Sequence, residues 1–302
     1  MLLDSASLYF RAFYGVPESV TAPDGMPVNA VRGFLDMVAR LVDTRRPDRL
    51  LACLDEDWRP AFRVELVPSY KAHRVAPNGG EEIPDTLSPQ VPVLMEVLDA
   101  LGVARAGAPD CEADDVIGTA VAHETGDAVE VVTGDRDLFQ LVRDEPPVRV
   151  LYTARGIGKL AVLGPAEVGA KYGVPGTSYA DFAALRGDPS DGLPGVPGIG
   201  EKTAAALISR WHTLGALTAA LDAGETGGFP AGARTKLLAS RAYLDIALAV
   251  VAVRTDAPLA PYDDALPSRP ADPGALTDLS DRYGLDSSLS RVLHALNAVH
   301  GT

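Results

Sequence analysis

The sequence predicts an α/β fold: a mostly parallel sheet flanked by helices, with a helical C-terminal region. Three observations lead there. Short apolar runs alternate with helical patterns over the first half of the chain. After about residue 165 the strand-like runs disappear and short helical, Ala/Leu-rich segments take over. The composition, 47% apolar and 23% charged over 302 residues, is that of a globular chain long enough for two domains.

Buried strands are expected at Leu2–Leu3, Leu50–Leu54, Val129–Thr133 and Val148–Tyr152. Between them, NAVRGFLDMVARLVD places Val31, Leu35, Val38 and Val42 at spacings of three and four, the period of an amphipathic helix. Residues 90–101 and 113–122 follow the same pattern. A boundary near residue 166 therefore divides a sheet domain, 1–166, from a helical region, 167–302. Residues 75–92 carry four prolines and two glycines and few strong apolar positions, so an arch over about residues 70–92 is expected. Residues 254–275, rich in Pro, Asp and Ala, read as a surface connection.

Composition narrows the function. No apolar run approaches a membrane span, and the acid at position 4 argues against a signal peptide, so a cytoplasmic protein is expected. The two cysteines, Cys53 and Cys111, form no CxxC, which disfavours zinc and a disulfide framework. A net charge of −14 argues against a nucleic-acid partner unless the acids are gathered and neutralised in one place. Their distribution therefore decides the matter.

The acids are gathered. Asp4 follows the first strand, Asp55 the second, and Asp135 and Asp137 the run VVTG. In open α/β sheets, ligands bind beyond the carboxyl ends of the strands. CEADDVIG crowds Glu112, Asp114 and Asp115 into the start of a helix, and Asp188 and Asp191 stand in a Gly/Pro-rich stretch. Each alone reads equally well as a turn or capping residue. Together they repel: two carboxylates about 4 Å apart cost roughly 4 kcal/mol at an effective dielectric near 20. Divalent cations would turn that repulsion into attraction. Hard oxygen donors without His or Cys select Mg²⁺ or Mn²⁺, and so many acids suit two or more ions.

Two stretches read as phosphate-facing, with a solvated basic face as the competing reading of the first. RPAFRVELVPSYKAHR carries Arg59, Arg63, Lys71, His73 and Arg74 just after the Asp55 strand. GVPGIGEKTA holds a tight turn, Gly198-Ile199-Gly200, before a helix start with Lys202 and Thr203. Between helical patterns this reads as a helix–hairpin–helix that would grip DNA backbone without regard to base, a simple inter-helix turn being the competing reading. Phe10, with Arg11 beside it, and Tyr70 are candidates for contact with a nucleotide. Core packing is the competing reading of these aromatics.

LLDSASLYFRAF, CLDEDWRPAFR, SYKAHR, CEADDVIG, TGDRDLFQL and GDPSDGLPGVPGIGEKTA, in this order, resemble the bacterial 5′-nuclease family. That family comprises the 5′→3′ exonuclease domain of DNA polymerase I and its stand-alone flap-endonuclease relatives. The resemblance covers about residues 1–255, and the chain ends too soon for a polymerase. It implies a PIN-like core, a helix–three-turn–helix region and a metal set of Asp4, Asp55, Glu112, Asp114, Asp115, Asp135, Asp137, Asp188 and Asp191. It assigns Lys71 and Arg74 to the scissile phosphate and Arg63 to a nearby one. It places duplex backbone on Gly198–Thr203, with a potassium ion at the turn. Gly192 stands where the family often has Asn.

The expected activity is metal-dependent hydrolysis of DNA at 5′ flaps, gaps or 5′ ends by a nucleoid-associated monomer in replication and repair. The catalytic candidates are Lys71, Arg74, Asp135 and Asp137. A non-catalytic DNA-structure-binding protein, a PIN-type ribonuclease and a phosphohydrolase of small metabolites are the alternatives.

Overall fold

The computed structural model describes residues 1–301. Six strands form one sheet: β1 (Leu2–Asp4), β2 (Leu51–Cys53), β3 (Ala104–Ala106), β4 (Val129–Thr133), β5 (Val148–Tyr152) and β6 (Ala161–Leu163). Their order is β3-β2-β1-β4-β5-β6. The first five are parallel, and β6 pairs antiparallel with β5 at one edge. Four strands lie where the apolar runs predict them. β3 carries no such run, and β6 falls in the apolar stretch 160–163, outside the four expected strands; each has three residues, and ARA and AVL leave partly open positions at the sheet edges.

Helices cover both faces, which is why the inner strands are apolar on both sides. Leu3, Ala52, Val132 and Leu151 turn to one core, and Leu2, Leu51, Val131 and Val150 to the other. On the first face lie α1 (Ser5–Gly15), α2 (Asn29–Arg45) and α4 (Gln90–Leu101). α3 (Ala61–Leu66) and α5 (Ala113–His123) belong to the second. In α2 the positions Val31, Leu35, Val38 and Val42 are all buried, as their spacing predicts.

The chain then continues through α6 (Pro165–Tyr172), α7 (Tyr179–Arg186), α8 (Glu201–Trp211), α9 (Leu214–Asp222), α10 (Ala233–Ala239) and α11 (Arg241–Val251). Phe182, Leu207, Leu217 and Leu244 join the same core as Ile117 and Val131, so this region builds directly on the second face.

The last two helices depart from the expected division at residue 166. α12 (Pro273–Tyr283) and α13 (Asp286–His300) return to the first face, where Leu276, Leu289 and Val292 share a core with Phe34 and Leu98. Their apolar stripes are compatible with either partner surface, so periodicity could not assign them. The connection before them is tied down: Leu50 N–H donates to the Asp264 carbonyl and Leu266 N–H to that of Asp48. Among the described residues no helix is long and apolar enough to cross a membrane.

Candidate metal and nucleic-acid site

β1, β2 and β4 are neighbours and run parallel, so their carboxyl ends share one edge of the sheet. Asp4 closes β1 and caps α1, accepting from Ser7 N–H at 3.1 Å. Asp55 and Asp135 each stand two residues beyond their strands. The start of α5 brings Glu112, its N-cap, and Asp114, in its first turn, to the same edge. Asp4, Asp55, Glu112, Asp114 and Asp135 line a cavity of about 230 Å³ together with Lys71 and Arg74. Glu112 and Asp114 also border a smaller cavity of about 10 Å³, shared with Asp137 and Asp191. Seven of the nine expected acids thus meet around two adjoining spaces.

The other two do not. Asp115 is fully buried: Arg63 donates to its two oxygens at 2.7 Å each, and the backbone N–H groups of Glu112 and Arg254 donate to it as well. It is the N3 partner of a capping box with Glu112. Asp188 caps the turn that follows it, accepting from Ser190 N–H at 2.9 Å, with Arg186 and Arg136 at 3.3 and 3.4 Å. Both acids shape the rim of the site without lining either cavity.

Two expected substrate contacts are also reassigned. Arg63 does not face a phosphate. It is 3% exposed and spends its donors on Asp115, Glu112 and the Val250 carbonyl. Tyr70 cannot stack on a base: it is buried, and its hydroxyl donates to Glu112 at 2.6 Å. Buried acids need buried cations, and sequence spacing cannot tell an arginine that neutralises a neighbour from one that awaits a ligand.

Lys71 and Arg74 do stand at the cavity. The Lys71 ammonium contacts Glu112, and Arg74 bonds Asp191 at 2.7 Å. Lys71 holds a left-handed backbone, φ 47°, an uncommon state for a side-chain-bearing residue that often marks a functional position. The segment 69–71 lies against the 191–192 turn: Lys71 N–H donates to the Asp191 carbonyl at 2.8 Å. Gly192 has φ +68°, and a Cβ there would stand 2.1 Å from the Ser69 carbonyl oxygen. This close approach accounts for glycine at the position.

The charges are tightly coupled to burial. Burial, with Asp55 and Asp135 adding, pushes Asp4 up to about 7 against the opposing hydrogen bonds from Thr133 and Ser7. Burial lifts Glu112 to about 7 even though Lys71 and Arg63 favour its ionised form. Asp114 and Asp137 rise well above the usual carboxylate range, first through burial and then through Asp135. Burial works against the Lys71 ammonium, yet Glu112, Asp191 and Asp55 hold its pKa above the ordinary value.

Such a set fits divalent cations. Both cavities are lined by hard oxygen donors with no His or Cys. Asp137 Oδ1 is buried with no hydrogen-bond partner among the described residues, a costly state that a cation would relieve. As the side chains stand, no three His, Cys, Asp or Glu residues among those described form a ready-made cage for one ion.

Other lining residues went unassigned in the sequence. Trp58 and Glu81 both border the larger cavity. Trp58 lies within CLDEDWRPAFR, three residues beyond Asp55. Glu81 comes from the arch segment, in which a bridge between Val75 and Glu81 closes a short turn, and nothing in its local pattern marks it. Phe10 borders the cavity as expected. Arg11 makes no ion pair among the described residues, and its Nε is buried without a partner.

At the hairpin, Gly198 has φ +77°, Ile199 is buried and Gly200 caps α8 without a side-chain hydrogen bond. Lys202 is exposed and Thr203 half-buried. Lys236 Nζ donates to the Gly198 carbonyl at 2.9 Å. An ammonium thus already stands at one lone pair of the oxygen where the resemblance implies a potassium ion.

A sequence model of the 5′-3′ exonuclease N-terminal resolvase-like domain matches residues 1–173, and one of the 5′-3′ exonuclease C-terminal SAM fold matches residues 174–273. The chain belongs to the 5′-3′ exonuclease family. This 5′-3′ exonuclease-family chain is 57% identical over 303 residues to a 5′-3′ exonuclease of Streptomyces coelicolor, covering 99% of this chain and 100% of that one. A 5′-3′ exonuclease of Mycobacterium tuberculosis is 55% identical over 314 residues, covering 100% and 98%. DNA polymerase I of Mycobacterium bovis is 40% identical over 306 residues, covering all of this chain and 32% of the polymerase. Among solved structures, the T5 D15 protein co-crystallised with metal ions superposes with TM-score 0.64 at 17% identity, covering 98% of this chain and 99% of that one. This supports the resolvase-like, PIN-like fold of the exonuclease family.

Proposed function

We propose that this chain is a structure-specific 5′ nuclease that hydrolyses DNA phosphodiesters at 5′ flaps, gaps and 5′ ends with Mg²⁺ or Mn²⁺. One observation carries the reading. Acids delivered by three adjacent parallel strands and by the start of α5 line a single cavity beside Lys71 and Arg74. The family supplies the reaction class, and neighbours of similar fold include a T5 flap endonuclease in a pseudo-enzyme-product complex with DNA and metal ions.

Asp4, Asp55, Glu112, Asp114, Asp135, Asp137 and Asp191 would hold the ions. When bound, such ions supply an activated water and neutralise charge at the phosphate. Lys71 and Arg74 would exchange their contacts with Glu112 and Asp191 for the scissile phosphate and oppose the charge that builds there. Arg63 and Asp115 hold the α5 turn in place, so that Glu112 and Asp114 keep their aim. Phe10, which borders the cavity, and Arg11 beside it in sequence would contact an unpaired strand. Gly198, Gly200, Lys202 and Thr203 would hold duplex backbone, so that DNA shape rather than base sequence selects the cut.

The test is a 5′-labelled flap DNA incubated with Mg²⁺ or Mn²⁺, beside Asp135→Ala and Asp137→Ala. Metal-dependent cutting near the junction, lost in both variants, is expected. Tight binding with no cutting under any divalent ion would replace this reading with a non-catalytic one, and cleavage confined to RNA would replace it with a ribonuclease.

A further inference from the structure

Lys236 lies 38 residues from Gly198 in sequence, yet its ammonium rests on the hairpin turn, 2.9 Å from the Gly198 carbonyl oxygen. The contact is close along the side chain: a Cβ on Gly198 would stand 2.9 Å from Nζ and 3.1 Å from Cε. Gly198 thus leaves room for the lysine to cross the turn. An ammonium has three N–H donors, and the turn takes one. Among the described residues no carboxylate lies within ion-pair distance of Lys236, and the residue is exposed. Its charge is therefore fixed in position and not neutralised. Lys202, also exposed, adds a second cation at the same turn, against one acid, Glu201, in the first helical turn.

We infer that Lys236 is a DNA-backbone contact of the hairpin, its tethered ammonium supplying at the Gly198 carbonyl the positive charge that a bound alkali cation would otherwise provide. Duplex binding is then insensitive to which alkali cation is present. Lys236 comes from α10, outside GVPGIGEKTA, so the motif itself does not reveal it. The inference rests on the hairpin's role in holding duplex DNA.

Anisotropy of a labelled 5′-flap duplex tests it, with Ca²⁺ as the divalent ion and KCl or NaCl at equal ionic strength. The unmodified chain should bind within twofold in the two salts. Lys236→Met should bind about 5- to 10-fold more weakly, with a slope of log affinity against log salt smaller by about one, and Lys236→Arg should restore most of the loss. An unchanged melting temperature for Lys236→Met assigns its loss to binding. Several-fold tighter binding in KCl than in NaCl by the unmodified chain, or full-strength binding by Lys236→Met, would overturn the inference alone. No binding by the unmodified chain in either salt would overturn the nuclease reading as well.

Discussion

Arg63 grips Asp115 with two hydrogen bonds of 2.7 Å, one to each carboxylate oxygen, and both side chains are buried. The fork geometry of a guanidinium matches a carboxylate in a way that a lysine cannot. Removing one partner leaves a buried charge unpaired. Arg63→Met should therefore cost roughly 3–5 kcal/mol in denaturant unfolding, and Arg63→Lys should recover little of it. The double variant Arg63→Met, Asp115→Leu should be more stable than Arg63→Met alone. Equal stability of the Met variant and the parent chain would show that the pair does not hold the α5 turn.

Lys71 carries a different prediction because its charge faces the cavity. Lys71→Ala should lower kcat on flap DNA by about 10²–10³-fold, the size of effect seen when one stabilising cation or donor is removed. Its melting temperature in saturating Mn²⁺ should stay close to that of the parent. Loss of folding rather than of turnover would place Lys71 among the structural cations with Arg63.

Acidity gives a third. The ordinary values of Asp4 and Glu112 are 3.8 and 4.5, and in the folded chain both are pushed up to about 7. Carboxyls raised by folding oppose it when ionised. Their penalty is absent below about pH 4, grows up to about pH 7 and is complete above that. Cations bind the ionised forms and relieve the penalty. Mg²⁺ or Mn²⁺ at 100 times Kd should stabilise the chain by about 2.7 kcal/mol at pH 8, a rise on the order of 5 °C in Tm. The rise should shrink at pH 5.5, where protons hold the same oxygens. A metal-induced shift that is equal at both values would disconnect the ions from these carboxyls.

Gly192 yields a fourth. Its φ of +68° and the Ser69 carbonyl 2.1 Å from a would-be Cβ leave no room for a side chain. Gly192→Ala should cost at least about 2 kcal/mol from left-handed strain and overpacking. It should also slow cleavage more than tenfold, since displacement of the 69–71 segment moves Lys71. Wild-type turnover in this variant would show that the arch base tolerates the shift.

Much of the site was legible in the sequence, for identifiable reasons. Asp4, Asp55 and Asp135 follow apolar runs, and the rule that parallel strands end at one edge brought them together before any coordinates. The aromatic and basic residues were harder. Phe10 and Tyr70 both looked able to meet a nucleotide, yet Phe10 lines the cavity while Tyr70 is sealed behind Glu112. β3, ARA, carries no apolar run, while β6 lies in the short run 160–163 next to the helical region, where its brevity and open positions leave a strand unmarked.

Local pattern by itself determined the alternation of strand and helix, the gathering of carboxylates at the sheet's carboxyl edge and the turn before α8. These follow from periodicity and chain direction, which nearest neighbours impose. Only the tertiary structure decided which cations are consumed inside the protein and which remain for a ligand. Arg63 and Lys71 sit eight positions apart in one basic stretch, but one is enclosed by Asp115 and Val250 and the other opens onto the cavity. It likewise carried Lys236 to Gly198 and folded α13 back onto α2. Such contacts depend on packing between segments distant in sequence, and nothing in the residues nearby encodes them.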